Sequence, residues 1–125
     1  MKKAGLFMEV VGTYRKHGWE LRSALLQPAT FSEFHAEEAE LLTNVPVRDA
    51  TFDALWFSRP SHNKREAWEL RLLAQTSYAL FETFEQDETE EERQDVKQEM
   101  EARMRDYASE SKPNTKPSTD YADSV

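Results

Sequence analysis

Apolar residues recur at helical spacing near the start of the chain, at strand spacing through its middle, and again at helical spacing toward its end. Leu6, Phe7, Val10, Val11 and Tyr14 fall at i, i+1, i+4, i+5 and i+8, one stripe along a helix. The pattern predicts a helix over 3–16. Lys16 and His17 put positive charge at its C-terminal end, and Gly18 supplies a residue that turns left-handed without cost. Over 19–27, Trp19, Leu21, Ser23 and Leu25 alternate with Glu20, Arg22 and Ala24, as in a strand, although Leu21, Ala24 and Leu25 would also line a helix. Gly18 before the segment and Pro28 after it favour the strand. Thr30-Phe31-Ser32-Glu33 has the form of a capping box and predicts a second helix to about Leu42, with Phe31, Phe34, Leu41 and Leu42 inward. Asn44, Pro46 and Asp49 then predict a loop.

The middle of the chain is the richest part. Seven of the fourteen aromatic residues lie between 52 and 84: Phe52, Trp56, Phe57, Trp68, Tyr78, Phe81 and Phe84. They sit in three short runs, about 52–58, 66–74 and 78–85, separated by Pro60-Ser61-His62-Asn63-Lys64 and by Gln75-Thr76-Ser77. Consecutive strands with short links predict an antiparallel meander. Phe52, Trp56, Trp68, Leu70, Leu72, Tyr78 and Leu80 suit one buried face, and Leu55, Phe57, Leu73 and Phe81 the other, so both faces should be covered by helices.

A second capping box, Thr89-Glu90-Glu91-Glu92, opens a helix to about Tyr107. Acidic residues crowd its first turn and Arg103 and Arg105 its last, as the helix dipole prefers. Its apolar stripe is thin: Val96, Met100, Met104 and Tyr107. So narrow a stripe docks weakly or waits for a partner. Residues 109–125 carry two prolines and little to bury, the composition of a disordered tail. The expected architecture is therefore one α+β domain over 1–108, in the order α-β-α-β-β-β-α. An antiparallel sheet of three to four strands packs with three helices, and a tail follows over 109–125.

Composition narrows the function. The net charge of −8 disfavours nucleic acid and anionic membrane surfaces and favours a basic partner. There is no cysteine, hence no disulfide or thiolate chemistry. No run approaches the roughly 20 apolar residues that span a bilayer, and the N-terminal run is cut by Glu9, Arg15 and Lys16, so a cytoplasmic protein is expected.

Candidate chemistry is sparse. Arg59, His62, Lys64 and Arg65 form the one basic island and could hold an anion, though a solvated hairpin tip is the plainer reading. His17, His35 and His62 are scattered and match no zinc pattern. The acidic run over 85–92 lacks the glycine of a calcium loop. Glu20, Glu69 and Glu82 are strand carboxylates that would serve as acid or base only inside a pocket, and no serine has nucleophile-elbow context. The sequence thus leads to a non-enzymatic protein-interaction module, self-associating or binding another protein through Val96, Met100, Met104 and Tyr107 of the last helix together with an exposed part of the sheet, or through the basic loop, with no cofactor or metal. The alternative is a small-ligand site or small enzyme, its pocket lined by Trp56, Trp68 and Tyr78 with Arg59, Arg71 or His62 as polar contacts.

Overall fold

A computed structural model describes residues 3–110. Three helices and a five-stranded mixed sheet follow in the order α1 (Lys3–Lys16), β1 (Glu20–Leu26), α2 (Pro28–Glu37), β2 (Val47–Asp49), β3 (Ala54–Pro60), β4 (Glu66–Leu72), β5 (Ala79–Phe84) and α3 (Glu90–Glu110). Strand order across the sheet is β2-β1-β3-β4-β5. The pairs β1–β3, β3–β4 and β4–β5 are antiparallel. The expected sheet of three to four antiparallel strands is corrected on both counts. The stretch read as a loop supplies β2, which runs parallel to β1 with Ala24 opposite Val47. Three residues with one valine carry no strand periodicity of their own; pairing with β1 makes them a strand.

The meander was legible in detail. Leu25, Phe52, Ala54, Trp56, Leu70, Leu72, Met100 and Met104 form one core cluster, with Trp68, Tyr78 and Leu80 packed against it. Leu55, Phe57 and Leu73 belong to the other cluster, with Leu6, Phe7, Val10 and Val11 of α1 and Phe34 of α2. The layers are therefore α1 and α2, sheet, α3. Among the rings expected in the meander core, Phe81 stays outside, 57% exposed at the rim.

Two local expectations change. Helix α2 starts at Pro28, two residues before the expected capping box, and proline at the first helical position needs no amide partner. The Thr30 hydroxyl donates instead to Asp53, at 2.9 Å. The helix ends at Glu37, and a 3-10 turn over Ala39–Leu42 takes the place of its last turn. Phe34 is fully buried, Leu41 and Leu42 are half-buried, and Phe31 is 39% exposed rather than inward. In β1, a bulge shifts the register between Leu21, opposite Phe57, and Ser23, opposite Trp56. One extra residue turns Leu21 and Leu25 to opposite faces, where simple alternation puts them on one.

The second capping box forms as expected. The Thr89 amide donates to the Glu92 carboxylate at 2.9 Å, and the Glu92 amide to the Thr89 hydroxyl at 3.1 Å. Helix α3 runs on to Glu110, so Ser109 and Glu110 of the expected tail are helical, and the remainder of that tail lies outside the described residues. The thin stripe is docked rather than waiting: Met100 and Met104 are buried on the sheet, and the Tyr107 ring stacks on Tyr78 at 3.6 Å. Few apolar residues suffice because two methionines fill the gaps between Trp56, Leu70 and Leu72.

Candidate functional site

The basic loop does not converge on one point. The Arg59 guanidinium donates to the His17 carbonyl at 2.5 Å and covers the Trp19 ring at 4.6 Å. Arg65 is paired with Glu85 at 2.7 Å. His62 and Lys64 are exposed in a short 3-10 turn where Asn63 and Lys64 both take positive φ. The strand carboxylates are likewise dispersed. Glu69 accepts from the Tyr14 hydroxyl on the α1 face, and burial, followed by that bond, pushes the Tyr14 phenol well above its usual range. Glu20 is an exposed partner of Arg22, and Glu82 lies on the face opposite Glu69, because Glu69 pairs with Phe81. Among the described residues no group of three or more metal-ligating side chains comes together, and no helix is long and apolar enough to cross a membrane.

The aromatic pocket is divided. Trp56 and Trp68 meet edge to face at 6.0 Å beneath one flank of α3, while Tyr78 is taken by Tyr107. Arg59, Arg71 and His62 do not join the tryptophans. Glu66 holds this region together, accepting from the Trp68 indole at 3.0 Å and from Arg93 at 2.8 Å. The indole bond, then the Arg93 charge, hold its carboxyl below the ordinary 4.5. A lowered folded-state value means stability that is complete above the unfolded value and lost as pH falls through the folded one. Glu66→Gln should therefore flatten the acid limb of the melting temperature, with the two proteins converging once the pH has fallen through the lowered folded-state value. Calorimetry across that limb checks it; parallel curves would remove the linkage.

The most distinctive surface is the outer edge of β5, which pairs with no further strand among the described residues. After Phe84 the chain leaves the sheet for α3, so β5 ends the strand order. The Leu72 amide donates to the Tyr78 carbonyl at 2.9 Å, and the Leu70–Leu80 pair continues that row. Alternate residues of an antiparallel strand address opposite neighbours. Ala79, Phe81 and Thr83 therefore turn their backbone N–H and C=O groups to the open side. On the α1 face of this edge, the Phe81 ring touches Trp19 edge to face at 6.3 Å.

On the other face stands α3, packed on β4 and β5. Met100 and Met104 point down, Lys97 lies over Trp68 with Phe84 at the end of β5 farther off at 5.9 Å, and Glu101 reaches Trp56. At about 100° per residue, Glu92, Asp95, Glu99, Arg103 and Asp106 fall on the opposite flank, above the open edge. The Tyr78 phenol, raised chiefly by burial and drawn down by Arg103, marks the nearness of that flank to β5. Four carboxylates against one guanidinium make the flank acidic. Neither feature was read from the sequence. The signal available was a strand of low charge, Ala79-Leu80-Phe81-Glu82-Thr83-Phe84, but its edge position depends on strand order.

Compared with known proteins, the chain matches no family model, no curated protein and no solved structure.

Proposed function

We propose that this protein is a non-enzymatic interaction module that takes an extended segment of a basic protein onto the open edge of β5. The observation that carries this reading is the unguarded edge itself. Edge strands of stable proteins are usually blunted by lysine, proline, a bulge or a covering element. β5 contains no lysine or proline, its pairing with β4 has an unbroken register, and its Phe81 is exposed. The opposite edge, β2, is only three residues long, with Arg48 tied to Glu101.

An added strand would hydrogen-bond to Ala79, Phe81 and Thr83 and send alternate side chains to the two faces. One set meets Phe81 and Trp19 and should be apolar. The other meets the acidic flank of α3 and should be lysine or arginine. A second copy of this chain fits less well. At a strand spacing of about 4.8 Å, helices above the two β4 strands stand about 14 Å apart, acidic flank against acidic flank.

The test uses two peptides of about eight residues, one alternating valine and lysine, the other valine and glutamate. The lysine peptide should shift the amides of Ala79, Phe81 and Thr83 in a heteronuclear NMR spectrum, and salt should weaken it. Phe81→Pro removes an outward N–H without touching the β4 ladder and should weaken binding at least about tenfold. Equal binding of the glutamate peptide, or undiminished binding to Phe81→Pro, would overturn the reading. So would a dimer in sedimentation that Phe81→Pro abolishes.

A further inference from the structure

On the other side of α3, away from the β5 edge, a half-open cleft of about 490 Å³ lies between the helix and the sheet. Its size falls within the roughly 300–1,000 Å³ of small-molecule sites. Trp56 and Trp68 form its floor, Arg22 and Arg48 one wall, and Lys97 and Glu101 the other. Three cations against one carboxylate leave the cleft positive by two in a chain of net charge −8.

The carboxylate is already committed. Glu101 accepts from the Trp56 indole at 2.8 Å and from Arg48 at 2.5 Å. Lys97 is the unusual group. Its ammonium stands 3.4 Å above the centre of the Trp68 ring, in a cation–π contact. Glu66 and Glu90 act on it only at longer range, against Arg93 and Arg22, and burial holds its pKa below the usual lysine range. The ring face offsets part of the hydration this half-buried ammonium gives up, and the donors it turns to the cleft stay open to an anion. Arg22, too, is incompletely used. It reaches Glu20 at 3.3 Å through one nitrogen and lies 5.9 Å from the Trp68 ring centre. It comes to the cleft because the β1 bulge falls at this residue, and bulges re-aim side chains in this way.

We infer that this cleft binds a small organic anion, its carboxylate or phosphate group held by Lys97 and Arg22 and its flat apolar body set against the tryptophans. The donors suit that chemistry: an ammonium as a point charge, a guanidinium as a fork, and the Ser23 side chain on the same wall. The site stands apart from the β5 edge, so either can fail without the other.

Indole N–H resonances report on it directly, since Trp56 and Trp68 belong to the cleft and Trp19 to the opposite face. Benzoate and phenyl phosphate should each shift the Trp56 and Trp68 signals saturably while Trp19 stays still, and neutral benzyl alcohol should not. The tighter of the two anions tells carboxylate from phosphate. Lys97→Met, which keeps a long unbranched chain over the ring, should weaken the preferred anion at least about tenfold, and Arg22→Gln several-fold. Lys97→Gln gives the same readout if the methionine variant folds poorly. No saturation by either anion up to about 10 mM, where a binding free energy is only about 3 kcal/mol, overturns the inference. Equal affinity of the Lys97 variants and the native protein does so too, as does a Trp19 signal that moves with the others.

Discussion

Replacing Asp53 by alanine should cost the fold about 3–5 kcal/mol. Asp53 is almost fully buried just before β3, and its carboxylate is an acceptor for α1, α2 and the Gln27 junction between β1 and α2 at once. It takes the Gln27 amide at 2.8 Å, the Gln27 side-chain amide at 3.2 Å, the Thr30 hydroxyl at 2.9 Å, and the Lys3 ammonium at 3.2 Å. No side chain of α2 caps its own first turn, so Asp53 does so from across the chain, at the positive end of the helix dipole. Alanine would strand the buried Thr30 hydroxyl, at about 1–3 kcal/mol, and leave the partly buried Gln27 amide and the positive end of α2 without their acceptor. Lys3 is less affected, because a third of its side chain is exposed and it also donates to the Leu73 carbonyl. The milder change Asp53→Asn keeps one acceptor oxygen and should lose about half as much. Urea unfolding measures both variants. A loss below about 1 kcal/mol for alanine, or asparagine as damaging as alanine, would show that water replaces the lost acceptor.

A comparable loss, about 3–5 kcal/mol, is expected for Phe57→Ala. Phe57 lies on the central strand β3, between Leu21 of β1 and Glu69 of β4, with none of its surface exposed. Its ring stacks on Tyr14 at 4.1 Å, with 13° between the planes. Truncation opens a cavity where α1 meets the sheet and leaves Tyr14, which donates to Glu69, without its stacking partner. Phe81→Ala is the control: the same residue type on the same sheet face, but more than half exposed at the rim. It should cost less than about 1 kcal/mol. Denaturant midpoints decide between them, and similar losses at the two positions would mean that the edge is as tightly packed as the core. Out of a total stability of about 5–15 kcal/mol, either large loss would leave a marginal protein.

How much of this could be read in advance depends on the range of the interactions. Helix α1, the Thr89–Glu92 cap and the stop at Gly18, with its φ of 85°, rest on residues within a few positions of one another. The two faces of the meander follow from a period of two, and Phe52, Trp56, Leu70 and Leu72 lie on one side and Leu55, Phe57 and Leu73 on the other, as that period requires. The misreadings all involve distant partners. Thr30-Phe31-Ser32-Glu33 has the form of a cap, but a buried carboxylate 23 residues away claims the hydroxyl. The docking of α3 needed two methionines to meet a tryptophan and two leucines from β3 and β4. The candidate site was legible only in part: Trp56 and Trp68 were named for a pocket, but Lys97, Arg22 and Arg48 come from three other elements.

The amino-acid sequence by itself determined the helices at both ends, the aromatic meander and the division of its side chains between two covered faces, because periodicity, capping and turn chemistry act over a few residues. Only the tertiary structure decided that a short parallel strand joins β1, that Asp53 caps α2, that β5 is left at the rim, and that α3 sets an acidic flank above that rim while its other flank faces a cleft made positive by Arg22 of β1 and Arg48 of β2. Those features depend on which segments meet, and that choice is made by packing and hydrogen bonding between residues tens of positions apart.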